Sequence, residues 1–251
     1  MNNYNALLNN LEELELLRIR DNISIYLDSI ADGTKTAVDA LYELTELEKG
    51  FRSEQAIKGC VKVANFPYIK EINQFDFGFQ PSIDKAKIMD LATLRFLENN
   101  ENVIFCGSPG VGKTNLAVAI GIVAAKQRHC VYFITFQDLI AQLKTAAREN
   151  RLEKRIKWFC RYKLLIIDEL GYQRMDVDSA NLFFNLIAKR YEKSSTIVTT
   201  NSPFSKWADI FQEPVLTNAL LDRLLHHCSV ININGPSYRL KDQLQYMVED
   251  S

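Results

Sequence analysis

The chain has 251 residues, of which 47% are hydrophobic and 24% charged, with a formal net charge of -1. That length holds one large domain or a core domain with a small appendage, and the composition supplies a sizeable core, so disordered, fibrous and three-domain proteins are excluded. A balanced charge gives no overall sign of a nucleic-acid partner, so any basic footprint has to be local.

The N-terminal segment carries Glu12, Glu13 and Glu15 where a secretory signal needs a basic start and an apolar run, so no export signal is expected. From Ala6 to about Phe66, apolar residues such as Leu7, Leu11, Leu14 and Ile19 recur at helical spacing without strand-like alternation. Residues 1–72 are therefore predicted to form a small all-helical domain that contacts a partner or DNA. Residues 1–75 hold 8 basic and 12 acidic side chains, net -4, which disfavours a simple phosphate-gripping arm. The segment Phe75 to Ser82, FDFGFQPS, breaks the pattern with Gly78 and Pro81 and forms the junction to a second domain over 73–251. Its alternate phenylalanines read as linker packing, and a helix is predicted from Ile83 to Asn99.

Short β-branched runs then alternate with amphipathic helices: Asn102 to Cys106, Val131 to Phe136, Lys163 to Asp168, Ser195 to Thr200 and Ser229 to Ile233. This rhythm predicts the α/β class, a parallel five-stranded sheet flanked by helices on both faces. The most apolar stretch, Ala117 to Ala125, is far shorter than the roughly 20 residues of a membrane span, so no membrane association is expected. Cys60, Cys106, Cys130, Cys160 and Cys228 include no CxxC pair and read as reduced thiols of a cytoplasmic protein.

Directly after the first of these strands comes Gly107-Ser108-Pro109-Gly110-Val111-Gly112-Lys113-Thr114, a complete GxxxxGK(S/T) sequence opening a helix over Asn115 to Lys126. Its glycines let successive backbone N–H groups turn toward phosphate oxygens, and the helix N-terminus adds partial positive charge. Lys113 is placed to reach the β- and γ-phosphates of ATP, and the Thr114 hydroxyl to ligate Mg²⁺. A second acidic site is supplied by Leu164-Leu165-Ile166-Ile167-Asp168-Glu169, the hhhhDE form, on a strand apolar enough to be buried on both faces. Asp168 is the candidate metal-orienting carboxylate and Glu169 the candidate base for an attacking water. Asn201, delivered to the same rim by the next strand, is a candidate for holding that water or sensing the γ-phosphate; by itself it reads equally as a turn residue.

Arg223 lies on a predicted helix from Leu216 to His226; helix arginines are usually solvated surface residues, and the alternative is that it reaches a neighbouring subunit's ATP. His226 and His227 follow; successive helical residues point about 100° apart, so the pair reads as ordinary helix-end residues without a shared metal. The local basic footprint runs from Ala141 to Lys163, with 8 basic against 2 acidic side chains, net +6. Lys144, Arg148, Arg151, Lys154 and Arg155 are its candidate DNA contacts, with Arg148, Arg151 and Arg155 spaced to share one helix side and follow a phosphate backbone. A solvated helix face is the alternative, and Trp158 and Tyr162 read as core residues.

Taken together, the FDFGFQPS junction, GSPGVGKTNLA, LLIIDELGY, TTNSPFSKW, the ALLDRLLHH helix and Ser237-Tyr238-Arg239 resemble the IstB-like ATPases, transposition helpers of bacterial insertion sequences related to DnaC-type helicase loaders within the AAA+ class. The P-loop and acidic strand are common to many ATPases; the junction, Leu170-Gly171-Tyr172 and Asp222-Arg223-Leu224 are more particular. The resemblance spans nearly the whole chain. It implies a P-loop AAA+ ATPase core over 73–251, with ATP and Mg²⁺ as cofactors and hydrolysis to ADP and phosphate coupled to DNA binding and assembly. As partners it implies double-stranded DNA with little sequence preference, a cognate transposase to be stimulated, and further copies of the chain in an ATP-dependent oligomer. The location implied is the bacterial cytoplasm, nucleoid-associated when DNA is bound. In that family the roles of sensor and trans-acting finger fall on the positions of Asn201 and Arg223. Only Asn234 to Ser251 follow the last strand, so no full C-terminal lid is expected, and Arg239 is the candidate substitute for the lid's ATP-contacting arginine. A replicative helicase loader is the alternative function. A small-molecule P-loop kinase lacks an acceptor site here, and Glu169 disfavours a nucleotide-gated binder without hydrolysis.

Overall fold

The structure, a computed structural model, describes residues 3–171 and 174–240. It divides into two compact units, Met1–Gly59 and Cys60–Ser251. The sequence reading set a boundary at 72/73; the chain divides earlier because Cys60, Val61, Ala64, Phe66 and Ile72 pack against the core of the second unit.

In the first unit, α1 (Asn3–Glu13) and α2 (Leu17–Ala31) precede α3 (Ala37–Val63), the helix in which the division falls. The predicted helical run is interrupted where Glu15 and Gly33 take left-handed φ values of 55° and 78°. Leu11, Ile23 and Leu44, one from each helix, form its small core. Glu48 is buried and accepts hydrogen bonds from the backbone N–H of Arg18 at 2.8 Å and Ile19 at 3.3 Å. Those N–H groups belong to the first turn of α2, which has no intrahelical acceptor for them.

After the end of α3 the second unit runs through the FDFGFQPS junction into a helical segment that is predicted as one piece but is two, α4 (Lys85–Ala92) and α5 (Arg95–Glu98). They are separated at Leu94, whose φ of 66° turns its side chain into the core. The remaining elements are β1 (Asn102–Gly107), α6 (Lys113–Lys126), β2 (Val131–Thr135), α7 (Phe136–Arg148), α8 (Leu152–Cys160), β3 (Leu164–Leu170), α9 (Val177–Arg190), β4 (Ser195–Thr200), α10 (Trp207–Phe211), α11 (Pro214–Leu225) and β5 (Cys228–Ile233). All four strand pairings are parallel, in the order β2-β3-β4-β1-β5, which bears out the predicted sheet.

Side chains alternate across this sheet as the pleat requires. Val103, Phe105, Leu164 and Ile166 join one apolar cluster with α6; Ile104, Leu165 and Ile167 join the other with α7, α9 and α11. Both faces are covered, so polar groups emerge only at strand ends. Helix α6 is buried nearly all round, as its uniformly apolar sequence requires. The basic segment, predicted as one helix, is broken between α7 and α8: Asn150 takes a φ of 54° and Arg151 N–H bonds back to Ala146 O at 2.7 Å. The expectation about the lid falls partly on residues 241–251, which lie outside the described residues. Among the described residues no helix is long and apolar enough to cross a membrane.

Candidate nucleotide site

The loop after β1 is held from two sides. Gly112 has a φ of 101°, and a Cβ there would lie 2.7 Å from the ring of Phe75; at Gly110, φ 81°, it would overlap the Ser237 hydroxyl. Glycine is thus required twice, by conformation and by the closeness of the junction phenylalanine and of the Ser237-Tyr238-Arg239 segment. Tyr238 N–H also donates to Gly110 O at 2.9 Å. Of the alternate phenylalanines, Phe75 therefore belongs to the site, and Phe79 meets Tyr238 edge-on at 5.2 Å.

Gly107, Ser108 and Pro109 carry the chain from the sheet into this loop, and Val111 is fully buried. Lys113, 8% exposed, donates from Nζ to the carbonyls of Gly107 and Ser108, both at 2.8 Å. Burial draws its ammonium below the usual lysine range and Arg239 adds to that, while Asp168, Cys106 and Glu169 pull the other way. A cavity of about 160 Å³ opens beside the loop, lined by Tyr68, Phe75, Gly112, Asn115, Tyr238 and Arg239 among others. Asn115 Oδ1 is buried there with no hydrogen-bond partner.

The acidic pair is shaped by a bulge. Ile167 pairs with Val198 and Leu170 with Thr200, so Asp168 and Glu169 together stand against the single residue Thr199. Glu169 takes a left-handed φ of 64°, which sends it outward to an exposed position while Asp168 stays 4% exposed. Thr199 secures both: its hydroxyl donates to Asp168 Oδ1 at 2.5 Å and accepts from Glu169 N–H at 3.0 Å. Thr114 Oγ1 donates to the same carboxylate, 2.9 Å from Oδ1 and 3.1 Å from Oδ2. The two predicted motifs therefore meet in one hydroxyl–carboxylate cluster. Thr199, Asn115, Tyr68 and Phe75 went unseen in the sequence, the first because its role depends on the bulge in β3.

Glu169 also lines a second cavity of about 640 Å³ with Thr135, Asp138, Lys144, Arg174 and Asp176. Asn201 lies just past β4, where its Oδ1 accepts from Ser202 Oγ at 3.3 Å, and Ser202 Oγ is 3.2 Å from Gly171 O. Tyr172 of the Leu170-Gly171-Tyr172 motif lies outside the described residues. Arg223 packs its guanidinium 4.7 Å from the Phe184 ring and donates to Ala219 O at 2.9 Å. Neither Asn201 nor Arg223 lines either cavity.

The candidate DNA contacts do not share one helix side. Arg148 ends α7, Arg151 precedes α8 and Arg155 lies within it, because the chain reverses through Asn150. Several are engaged. Lys144 pairs with Asp176 at 2.6 Å, Arg151 with Glu149, and Arg155 lies 4.2 Å over Trp158 while donating to Gln142. Gln142, Arg151, Lys154, Arg155 and Trp158 line a groove of about 410 Å³ between α7 and α8.

A family model described as "IstB-like ATP binding protein" matches residues 9–246. The "Insertion sequence IS232 putative ATP-binding protein" of Bacillus thuringiensis subsp. berliner is 50% identical over 241 residues, 96% of each chain. The corresponding IS21 protein of Pseudomonas aeruginosa is 41% identical over 240 residues, covering 93% of this chain and 91% of its own. Among solved structures, the DnaC helicase loader aligns with a TM-score of 0.52 and 27% identity over 68% of this chain and 96% of its own. DnaI aligns with a TM-score of 0.56 over 70% of this chain and 93% of its own; its 20% identity speaks for the fold alone. With a P-loop, an hhhhDE strand and a five-stranded parallel sheet in the AAA+ arrangement, the chain belongs to the IstB-like ATP-binding protein family.

Proposed function

We propose that this chain is an ATPase that assembles on double-stranded DNA in its ATP form and stimulates the transposase of an insertion sequence. The observation that carries this reading is the joining of Thr114, Asp168 and Thr199 in one cluster, with Glu169 turned outward beside it. Tyr68, Phe75 and Tyr238 wall the cavity that takes the adenine, with Arg239 at its edge. Backbone N–H groups of the loop from Gly107 to Thr114 and the Lys113 ammonium hold the phosphates, and Lys113 exchanges its carbonyl acceptors for phosphate oxygens.

The residues present fit a nucleotide and Mg²⁺. Lys113 brings a buried ammonium to the loop, Asn115 offers a buried acceptor without a partner, and Thr114 Oγ1 and Asp168 are the hard oxygen donors such an ion takes. When bound, Mg²⁺ supplies positive charge that neutralises the phosphates. Glu169 orients a water and accepts its proton, and Thr199 fixes the relative position of the two carboxylates. Asn201 holds the same water or reads the γ-phosphate. Arg223 serves the site of a neighbouring copy, which makes hydrolysis depend on assembly. Lys144, Arg148, Arg151, Lys154 and Arg155, on the α7–α8 surface, follow the phosphate backbone without reading bases.

The names of relatives up to 50% identical over 96% of the chain favour transposition over helicase loading, for which the supporting likeness is 27% identity over 68%. The test is binding to a labelled duplex with and without ATP. Wild-type binding should require ATP and weaken steeply with salt; Lys113→Ala should lose it; Glu169→Gln should hold both ATP and DNA longer than wild type. Equal DNA affinity with and without ATP would overturn the reading, and retention of a replicative helicase instead of a transposase would establish the loader.

A further inference from the structure

At the sheet's other end, away from the P-loop, three potential metal ligands meet. We propose that Glu192, His226 and His227 bind a divalent transition-metal ion of the zinc class. Each offers one donor atom, and these atoms all lie within 4.8 Å of one another. The two imidazoles stand 4.0 Å apart between centroids at an angle of 47°.

The reason for excluding a shared metal was that consecutive residues on one helix diverge. His226 still has helical dihedrals, φ -53° and ψ -49°, yet the two rings meet because the chain leaves the helix at this point. Helix α11 ends at Leu225, so His226 is its cap and His227 is already in the turn to β5. The turn is pinned, since His227 O accepts from Asn102 N–H at 2.7 Å. Glu192 comes from the opposite side, in the turn between α9 and β4, where it has a left-handed φ of 58°. Its carbonyl accepts from Asn100 Nδ2 at 3.1 Å. One short segment, 100–102, thus fixes the backbone of ligands that are far apart in sequence. The Tyr191 hydroxyl is 2.7 Å from His226 Nδ1, the nitrogen that stands 3.8 Å from Glu192 Oε1, so the ion either displaces that hydroxyl or takes the ring through Nε2 with Tyr191 holding Nδ1.

Zinc–nitrogen and zinc–carboxylate bonds of about 2.0–2.2 Å in a tetrahedron place donors about 3.3 Å apart. The donors must therefore close by up to about 1.5 Å, a side-chain rotation open to three exposed residues. Two imidazoles and a carboxylate select Zn²⁺, Co²⁺ or Ni²⁺ over Mg²⁺, and leave a fourth position for water. Occupied, the site ties the end of α11 to the turn that starts β4. Its existence is independent of the ATPase reading; that it also steadies the helix bearing Arg223 rests on that reading.

Tag-free, metal-stripped protein is titrated with Zn²⁺ by calorimetry and with Co²⁺ by visible absorption. One ion per chain is expected, with affinity reduced about tenfold or more in Glu192→Gln and in His227→Asn. ATP retention should be unchanged in both variants, which separates metal binding from the nucleotide site and confirms folding. Absence of zinc binding at submillimolar concentration, equal affinity in wild type and both variants, or a cobalt spectrum dominated by thiolate charge transfer would each overturn the proposal, the last by pointing to the cysteines.

Discussion

Away from the nucleotide site each unit of this protein buries a charged side chain, Glu48 in the first and Arg190 in the second, and the two do so on different terms. In the second unit Arg190, 1% exposed, donates to Phe159 O, Tyr162 O, Ser195 O and Thr196 Oγ1. Burial pulls it down to about 10, still charged at neutral pH. In the first unit Glu48, 4% exposed, accepts from two backbone N–H groups and from Arg52, whose own side chain is 55% exposed. The contrast follows from the apolar material around them. The sheet of the second unit has a cluster on each face, so a charge within it must find fixed acceptors for its donors. The three helices around Leu11, Ile23 and Leu44 leave Leu14, Ile25, Leu41 and Tyr42 exposed, so a carboxylate there can keep one partner in water. Arg190 consequently ties α8 to β4, whereas Glu48 caps one helix.

If the second unit is the rigid one, its largest losses should be in chemistry without loss of fold. Arg223→Ala removes a guanidinium that packs on Phe184 and donates to Ala219 O. ATP hydrolysis should fall by up to roughly 10³-fold with ATP binding and thermal stability nearly unchanged. Adding Lys113→Ala subunits, which still carry Arg223, should restore part of the activity. No recovery on mixing, together with wild-type turnover that is indifferent to dilution, would return Arg223 to the status of a packing residue.

Arg190→Ala is the next largest change and is aimed at the comparison itself. It strands three buried carbonyls, and the expected loss of stability is about 3–5 kcal/mol, read by urea unfolding and by faster hydrogen exchange in β4. A loss below about 1 kcal/mol would mean that water reaches these acceptors and that the interior is less closed than its burial indicates. Thr199→Val keeps shape but removes the hydroxyl between Asp168 and Glu169. With Glu169 N–H left unpaired, about 1–3 kcal/mol is at stake. Part of that should appear as a roughly tenfold slower hydrolysis at unchanged ATP affinity, since about 1.4 kcal/mol on a barrier is tenfold.

What could be read in advance divides along similar lines. The P-loop, the apolar strand ending in Asp168-Glu169 and the five strands are legible because each is a local pattern enforced by burial on both faces. Thr199 was not, because its role comes from a bulge in β3 that no β4 residue announces. The turn at Asn150, the break at Leu94 and the meeting of Glu192 with His226 and His227 were equally hidden. Each depends on one residue adopting a left-handed φ or on chain segments far apart in sequence. The basic segment shows the cost of assuming continuity: its composition was read correctly, but the helix is broken and the arginines are redistributed over two elements.

The smallest expected effect belongs to the first unit and completes the contrast with Arg190. Glu48→Ala uncovers the N–H groups of Arg18 and Ile19, but both lie at the first turn of a helix where water can take over as acceptor. The loss should therefore be that of a helix cap, about 1–2 kcal/mol, visible as faster hydrogen exchange in the first turn of α2. Glu48→Gln should recover part of it, since an amide oxygen still accepts while the attraction to Arg52 is gone. If Glu48→Ala instead costs as much as Arg190→Ala, the carboxylate is as closed off as the guanidinium. The exposed leucines of the helical unit would then be poor guides to how dry its interior is.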